Sequence, residues 1–267
     1  MTPENYQLFA TDMDGTFLND QMDYDRTKFA QLYQKMSQKN IPFVVASGNQ
    51  YYQLRSFFAE YPDIIYIAEN GAYICNQHEE YRTASFSQNS FAKILKALSR
   101  YPEIPQNLVI SGVKSAYILA SADPEFAKYA PKYYHHLQQV PTFAAVDDTI
   151  LKFSFNYFGG EVEEFQKEVT KKLHGIADLT TSGNGNFDLI QPGLHKANGL
   201  QVLAKTLNIP LTHMCAFGDG GNDLEMLTAV GDGVAVANAS DSIKQIADHT
   251  TGSNNEQGVL SYIDALI

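Results

Sequence analysis

The sequence is poor in the residues that would tie it to metal-thiolate, membrane or nucleic-acid chemistry. It has only two cysteines, Cys75 and Cys215, far apart and each inside an apolar strand-like run. No CxxC or Cys/His spacing accompanies them, so nothing suggests zinc, and free buried thiols in a reducing compartment are expected. No stretch approaches the roughly 20 apolar residues needed to span a bilayer, and Met1 to Tyr6 shows no basic flank followed by an apolar run. A soluble, cytoplasmic protein with no membrane partner is the expectation. Basic residues are also short, 19 Lys and Arg against 30 Asp and Glu, for a formal net charge of -11. A nucleic-acid backbone demands clustered Lys and Arg, so no nucleic acid is expected as a partner. The acidity leaves phosphorylated small molecules open, because a bound divalent cation changes the local sign of the field.

What is present is core-forming material: 44% of the 267 residues are hydrophobic, sufficient for one large domain or two modest ones. Leu8-Phe9-Ala10, Phe43-Val44-Val45-Ala46 and Ile64-Ile65-Tyr66-Ile67-Ala68 read as buried strands. Between them, Phe29, Leu32, Tyr33 and Met36, then Leu54, Phe57, Phe58 and Tyr61, repeat at helical spacing. This β-α-β-α-β order predicts an α/β fold with a doubly wound parallel sheet, Rossmann-like in its core. The same grammar returns late: a helix from about His195 to Leu207, a strand from Met214 to Phe217, a helix after Asn222, a strand at Val234-Ala235-Val236 and a closing helix over Val259, Tyr262, Ile263 and Leu266. Between these halves the texture changes. Ala116 to Ala120 and Leu151 to Phe155 read as half-exposed antiparallel strands, with helices near Phe91 to Leu98 and Val162 to Leu173. The expected organisation is therefore a core in two parts, 1–81 and 190–267, with an inserted α+β cap domain over 82–189.

In a parallel α/β sheet, ligands bind beyond the carboxyl ends of the strands. Those positions carry Thr11-Asp12-Met13-Asp14-Gly15-Thr16, then Ser47-Gly48-Asn49, and later Gly218-Asp219-Gly220-Gly221-Asn222-Asp223, with Lys196 opening the first helix past the insertion. Four carboxylates, a lysine and a hydroxyl would converge on one edge. Like charges repel by about 4 kcal/mol per pair at 4 Å and an effective dielectric near 20, so a positive partner is required. Oxygen ligands without His or Cys suit magnesium, Mg2+.

These segments, in order and context, resemble the four motifs of the haloacid dehalogenase-like phosphatases. The insertion between Ser47 and Lys196 is similar to the cap of Cof-type, C2-capped members. Phe17-Leu18-Asn19-Asp20, Val45 to Leu54, Ala68-Glu69-Asn70-Gly71-Ala72 and Pro192 to Gly199 resemble the sugar-phosphatase branch. The resemblance implies Asp12 as a covalent nucleophile and Asp14 as the acid, then base. It implies magnesium on Asp12, Asp219 and the Asp14 carbonyl, with Asp223 beside them. Ser47, the Gly48 amide, Lys196 and Asn222 would grip the phosphoryl oxygens. Many Cof-type relatives have Arg where this chain has Asn49, which argues against a second phosphate or a carboxylate near that point.

Singly, each motif has a plain structural reading: Asp-x-Asp as a turn or cap, Ser47-Gly48 as a strand-to-helix turn, Gly218 to Asp223 as a Gly-rich turn, Lys196 as a surface lysine. Their joint occurrence in order carries the functional reading. His135 and His136 suit no metal site and read as packing, and Phe153 to Phe158 as cap core. Asn49, Gln50, Asn184, Asn186 and Asn198 lie near the motifs and suit a neutral, hydroxyl-bearing substrate, and Asn184, Asn186 and Asp188 precede Lys196 closely enough for one of them to reach that substrate, with none singled out. The expected activity is hydrolysis of small sugar monophosphates. The alternatives are a phosphomutase or phosphotransferase, a phosphatase of another small phosphorylated metabolite, and a sugar-phosphate-binding regulator without catalysis, which would need neither Asp12 nor Asp14.

Overall fold

The computed structural model describes residues 6–183 and 185–267, so Asn184 lies outside the described residues. The chain begins with β1 (Leu8–Thr11), α1 (Arg26–Gln38), β2 (Phe43–Ala46), α2 (Tyr51–Phe57), β3 (Ile65–Ala68), β4 (Tyr73–Cys75) and β5 (Glu80–Thr83). Next come α3 (Gln88–Leu98), β6 (Val109–Gly112), β7 (Ala116–Leu119), α4 (Pro124–Tyr129), β8 (Leu137–Val140), β9 (Ile150–Asn156), α5 (Val162–Lys172), β10 (Asp178–Gly183) and β11 (Asn186–Ile190). Last are α6 (Lys196–Thr206), β12 (Met214–Gly218), α7 (Leu224–Ala229), β13 (Asp232–Ala235), α8 (Asp241–Ile246), β14 (His249–Thr250) and α9 (Gly258–Leu266). Contacts divide the chain into two units. One runs through Gly48, Leu54–Arg82 and His195–Ile267, and the other comprises Asn49–Gln53 and Thr83–Leu194.

The first unit is built on an eight-stranded sheet of order β14-β13-β12-β1-β2-β3-β4-β5. From β14 to β3 neighbouring strands are parallel, and β4 turns back antiparallel on β3. Central strands β1, β2, β3, β12 and β13 are buried along their whole length. That burial on both faces is why their sequences are continuous apolar runs rather than alternating ones. Helix α1 starts where the Asp25 carboxylate accepts the Lys28 amide at 2.8 Å, and it buries Phe29, Leu32 and Met36. Phe29 is the hub of an aromatic cluster, with ring centroids 5.1 to 5.8 Å from Phe17, Tyr24, Tyr33, Phe43, Phe58 and Tyr61. On α6, a Cβ at Gly199 would come within 2.5 Å of the Ile67 side chain, so glycine is what lets this helix close on β3.

The second unit has its own six-stranded sheet, order β10-β11-β9-β6-β7-β8. Ile110, Tyr117, Phe153, Phe155, Phe187 and Leu189 pack with Ile94 and Leu98 of α3 and with Phe165 and Val169 of α5. The opposite face of the sheet carries Lys152, Ser154 and Asp188. The Ser154 hydroxyl donates to Asp188 at 2.6 Å, and the Lys152 ammonium stands 3.4 Å from the same carboxylate. Strands β7 and β9 both pair antiparallel with β6, as expected, but they are buried rather than half-exposed, and β8 adds to β7 in parallel. Phe158 also departs from the expected cap core, being 76% exposed. His135 and His136 are both exposed, and the His136 ring stacks on Tyr52 at 3.6 Å.

Truncating the aromatic hub removes a fully buried ring. Phe29→Ala is expected to cost about 3–5 kcal/mol in denaturant unfolding, and a loss below about 1 kcal/mol would show that the cluster collapses around the gap. Both cysteines are free and buried. Burial pushes the Cys75 thiol up to about 12, and burial together with the Asp232 carboxylate holds Cys215 well above its ordinary range. Both thiols therefore keep their protons in the folded state after the unfolded chain has begun to lose them. Their contribution to stability is complete below about pH 8.5 and is lost as pH rises toward the folded values. A thiol-specific chromophoric reagent at pH 8 is expected to label neither in the native protein and both in denaturant; rapid native labelling would contradict the burial.

Candidate active site

All the buried charges of the candidate site come from the first unit. The Asp12 amide donates to the Phe217 carbonyl at 3.0 Å, extending the β1–β12 ladder by one residue and fixing where Asp12 leaves the sheet. The chain then turns: the Met13 carbonyl accepts the amides of Thr16, Phe17 and Leu18 at 3.3, 3.0 and 2.9 Å. Gly15 makes this possible with φ +77, and a Cβ there would lie 2.7 Å from an Asp219 carboxylate oxygen. The Thr16 hydroxyl donates to Asp219 at 2.7 Å, locking the turn to the loop that follows β12.

Asp223 is anchored on the same loop. One of its oxygens accepts the amides of Asp219 and Gly220, each at 3.0 Å, and the other accepts the Lys196 ammonium at 2.6 Å. Lys196 also donates to Asp12 at 2.6 Å, with its side chain 0% exposed. Burial alone would lower the Lys196 pKa, but the two carboxylates overcome it and keep the group cationic. Burial holds the Asp12 carboxyl above its usual range, opposed by Lys196 and reinforced by Asp223 and Asp219. Asp219 is raised by burial, against the Thr16 hydrogen bond.

Oxygens of Asp12, Asp219 and Asp223 lie within 4.8 Å of one another. Three carboxylates face one lysine, and every donor is an oxygen, so the set fits a hard divalent cation. Asp14 sits at the edge of this group with its side chain exposed. Ser47 is buried just past β2, the neighbour of β1, with its amide on the Ile67 carbonyl at 2.9 Å. Gly48 and Asn49 are half-buried, and Asn222 is exposed beside Asp223.

Two of the polar side chains expected near the motifs are tied to main chain. The Gln50 side chain is engaged at both ends by His136 main chain, accepting its amide at 3.1 Å and donating to its carbonyl at 2.9 Å. Asn198 accepts the His195 amide at 3.0 Å and caps α6. Main chain thus sets the orientation of both side chains. The sequence reading also passed over how Lys196 is placed. Glu69, Asn70 and Gly71 all have positive φ, at 52, 57 and 96. That turn brings Gly71 against the start of α6, where a Cβ would stand 3.0 Å from the His195 carbonyl, and it brings the Asn70 side chain against Gly48. The Asn-Gly pair after a strand was the available signal.

A doubly wound sheet with charged groups gathered beyond its parallel strand ends defines an α/β protein whose site lies where such folds bind ligands. Residues 9–263 match the sequence profile of the haloacid dehalogenase-like hydrolases, and the chain belongs to that family. It is similar to the 5-amino-6-(5-phospho-D-ribitylamino)uracil phosphatase YbjI of Escherichia coli, 40% identical over 98% of this chain and 96% of the other. It is also similar to the phosphatase YwpJ of Bacillus subtilis, 28% identical over 98% and 100% of the two chains. Among solved structures, SMU.1108c from Streptococcus mutans superposes with TM-score 0.88 at 33% identity, covering 97% of this chain and 98% of that one. As an enzyme, the chain is a phosphoric monoester hydrolase. Among the described residues, no helix is long and apolar enough to cross a membrane.

Because Lys196 compensates two buried carboxylates, Lys196→Met is expected to destabilise the metal-free protein by about 3–5 kcal/mol. Urea unfolding at neutral pH reads this, and a change under about 1 kcal/mol would mean that the pair is not what holds the loops together.

Proposed function

We propose that the protein is a magnesium-dependent phosphatase of small sugar monophosphates that works through an aspartyl-phosphate on Asp12. The observation that carries this reading is the buried Lys196 bridge between Asp12 and Asp223, with Asp219 beside it, at the ends of β1 and β12. In the proposed reaction an Asp12 oxygen attacks phosphorus, the bond to the leaving oxygen breaks, and Asp14 supplies that oxygen with its proton. Asp14 then takes a proton from water. The resulting hydroxide attacks the phosphorylated Asp12, releasing inorganic phosphate and restoring the carboxylate. Lys196, the Ser47 hydroxyl, the Gly48 amide and Asn222 would hold the equatorial oxygens, with Lys196 also steadying Asp12. Asp12, Asp219 and the Asp14 carbonyl would hold magnesium with support from Asp223, and the ion when bound would neutralise charge on the transferring phosphoryl group.

The substrate class is supported by Asn49, which puts no cation where a second phosphate would need one, and by the printed name of the 40% identical relative. That name describes a phosphate on a ribityl chain, a monoester of a five-carbon polyol. It favours a second reading in which 5-amino-6-(5-phospho-D-ribitylamino)uracil itself is the substrate. Phosphate release without an acceptor sugar separates hydrolysis from phosphotransfer.

Asp12→Asn is expected to abolish phosphate release, and Asp14→Asn to reduce it roughly 10²–10⁴-fold, both with folded protein. Chelation should stop turnover and magnesium restore it. Across a panel at fixed magnesium, hexose and pentose monophosphates and the ribityl ester are expected to lead in kcat/KM. If nucleoside monophosphates or pyrophosphate esters outrank them all, the substrate reading fails while the reaction class stands. Substantial turnover by Asp12→Asn would remove the covalent mechanism.

A further inference from the structure

Asp14 poses a mechanical problem. Its side chain is exposed, and it sits in a loop where the Met13 carbonyl gathers the amides of Thr16, Phe17 and Leu18 and Asp14 bridges to Leu18. A general acid displaced by about 1 Å can lose on the order of 10²-fold in rate, so contacts that brace this turn from other parts of the chain bear on catalysis as well as those within it.

Two asparagines from the far end of the chain make such contacts. The Asn238 amide donates to the Gly15 carbonyl at 2.7 Å, immediately after Asp14. The Asn254 amide donates to the Leu18 carbonyl at 3.0 Å and to the Asp20 carboxylate at 3.2 Å. The Asn254 main-chain amide donates to the Asn238 side-chain oxygen at 2.9 Å, linking the two clamps. Asn254 is buried, and its own carbonyl accepts the Gln257 amide at 3.1 Å. The segment carrying Asn238 also touches the second acidic loop, where the Ser240 amide donates to the Asp219 carbonyl at 3.1 Å. With Thr16 bonded to Asp219, the ring closes on both sides of the turn.

We propose that Asn238, backed by Asn254, is a positioning residue that aims the Asp14 carboxyl at the leaving oxygen. The inference rests on the reading of Asp14 as acid and base given above. Residue 238 needs a donor for Gly15 and an acceptor for Asn254 in one short side chain, which a carboxamide supplies. Asp at 238 keeps the acceptor but turns an anionic oxygen toward the Gly15 carbonyl. Ala removes both contacts at an exposed site, where little stability is lost.

The leaving group provides the test. An aryl phosphate such as p-nitrophenyl phosphate departs without needing a proton, whereas a sugar phosphate needs one, and kcat/KM reports the steps through formation of the phosphorylated enzyme. Asn238→Ala and Asn238→Asp are expected to lower kcat/KM for the sugar ester by roughly tenfold or more and for the aryl ester by less than about threefold. The thermal midpoint should be nearly unchanged. In an Asp14→Asn background, adding Asn238→Ala should cost nothing further, because the two act as one unit. Equal losses on both esters, no loss on either, or a full additional loss without Asp14 would each overturn the proposal. Asp14→Asn alone reads the underlying assignment: if it slows both esters equally, the acid role fails and this inference falls with it. If it discriminates between the esters and the Asn238 variants do not, only the positioning role is lost.

Discussion

A lysine ammonium with no exposure to water, held at 2.6 Å by two carboxylates, is a constraint that neighbouring structure must satisfy. An isolated buried charge costs several kcal/mol, so Lys196, Asp12 and Asp223 are tolerable inside the protein only together. Their backbones come from the end of β1, the start of α6 and the loop after β12. The chain invests heavily in bringing these to one point. Gly218 leaves room for Asp223, since a Cβ there would lie 2.5 Å from the Asp223 Cβ. Gly199 lets α6 sit on β3, and the left-handed turn at Glu69, Asn70 and Gly71 meets His195, the residue just before the helix. Non-glycine residues at positive φ cost of order 1 kcal/mol each, and they persist where the surroundings over-determine them.

The parallel sheet supplies the rest of the placement. Because β1, β2 and β12 are parallel neighbours, the residues that follow them emerge on the same edge, about 4.8 Å apart from strand to strand. Asp12, Ser47 and Asp219 thus reach one region from sequence positions up to two hundred residues apart without any long connection having to thread between them. The second unit has a separate aromatic core around Phe153, Phe155, Phe165 and Phe187.

How much of this the sequence disclosed follows from what each feature depends on. Strands β1, β2 and β3 are buried on both faces, so they announce themselves as uninterrupted apolar runs, and α1 shows its single buried stripe in Phe29, Leu32 and Met36. The acidic motifs stand out because carboxylates directly after buried strands are costly without a purpose. Strand β8 reads Leu-Gln-Gln-Val, and β10 opens Asp-Leu-Thr-Thr, so neither half-exposed edge strand has a run or an alternation strong enough to read. Gln50 and Asn198 were legible as polar residues near the motifs, but a side chain's allegiance to main chain depends on tertiary neighbours. The same holds for Asn238 and Asn254, whose partners Gly15 and Leu18 lie 223 and 236 positions away.

The charge balance of the site closes the argument from fold to chemistry. Within the group, three carboxylates are set against one ammonium, and burial resists ionisation of both Asp12 and Asp219. Hydrogen bonds relieve part of this, through Thr16 on Asp219 and the loop amides on Asp223, but they add no positive charge. A divalent cation among these oxygens would bring the cluster near neutrality and make room for the anionic phosphoryl group, which the carboxylates alone would repel. Lys196 cannot take that role by itself, because both of its carboxylate contacts are already made and its charge is balanced by them. The surplus of negative charge in this cluster is therefore the property that would favour a hard cation and, through it, an anionic phosphate ester.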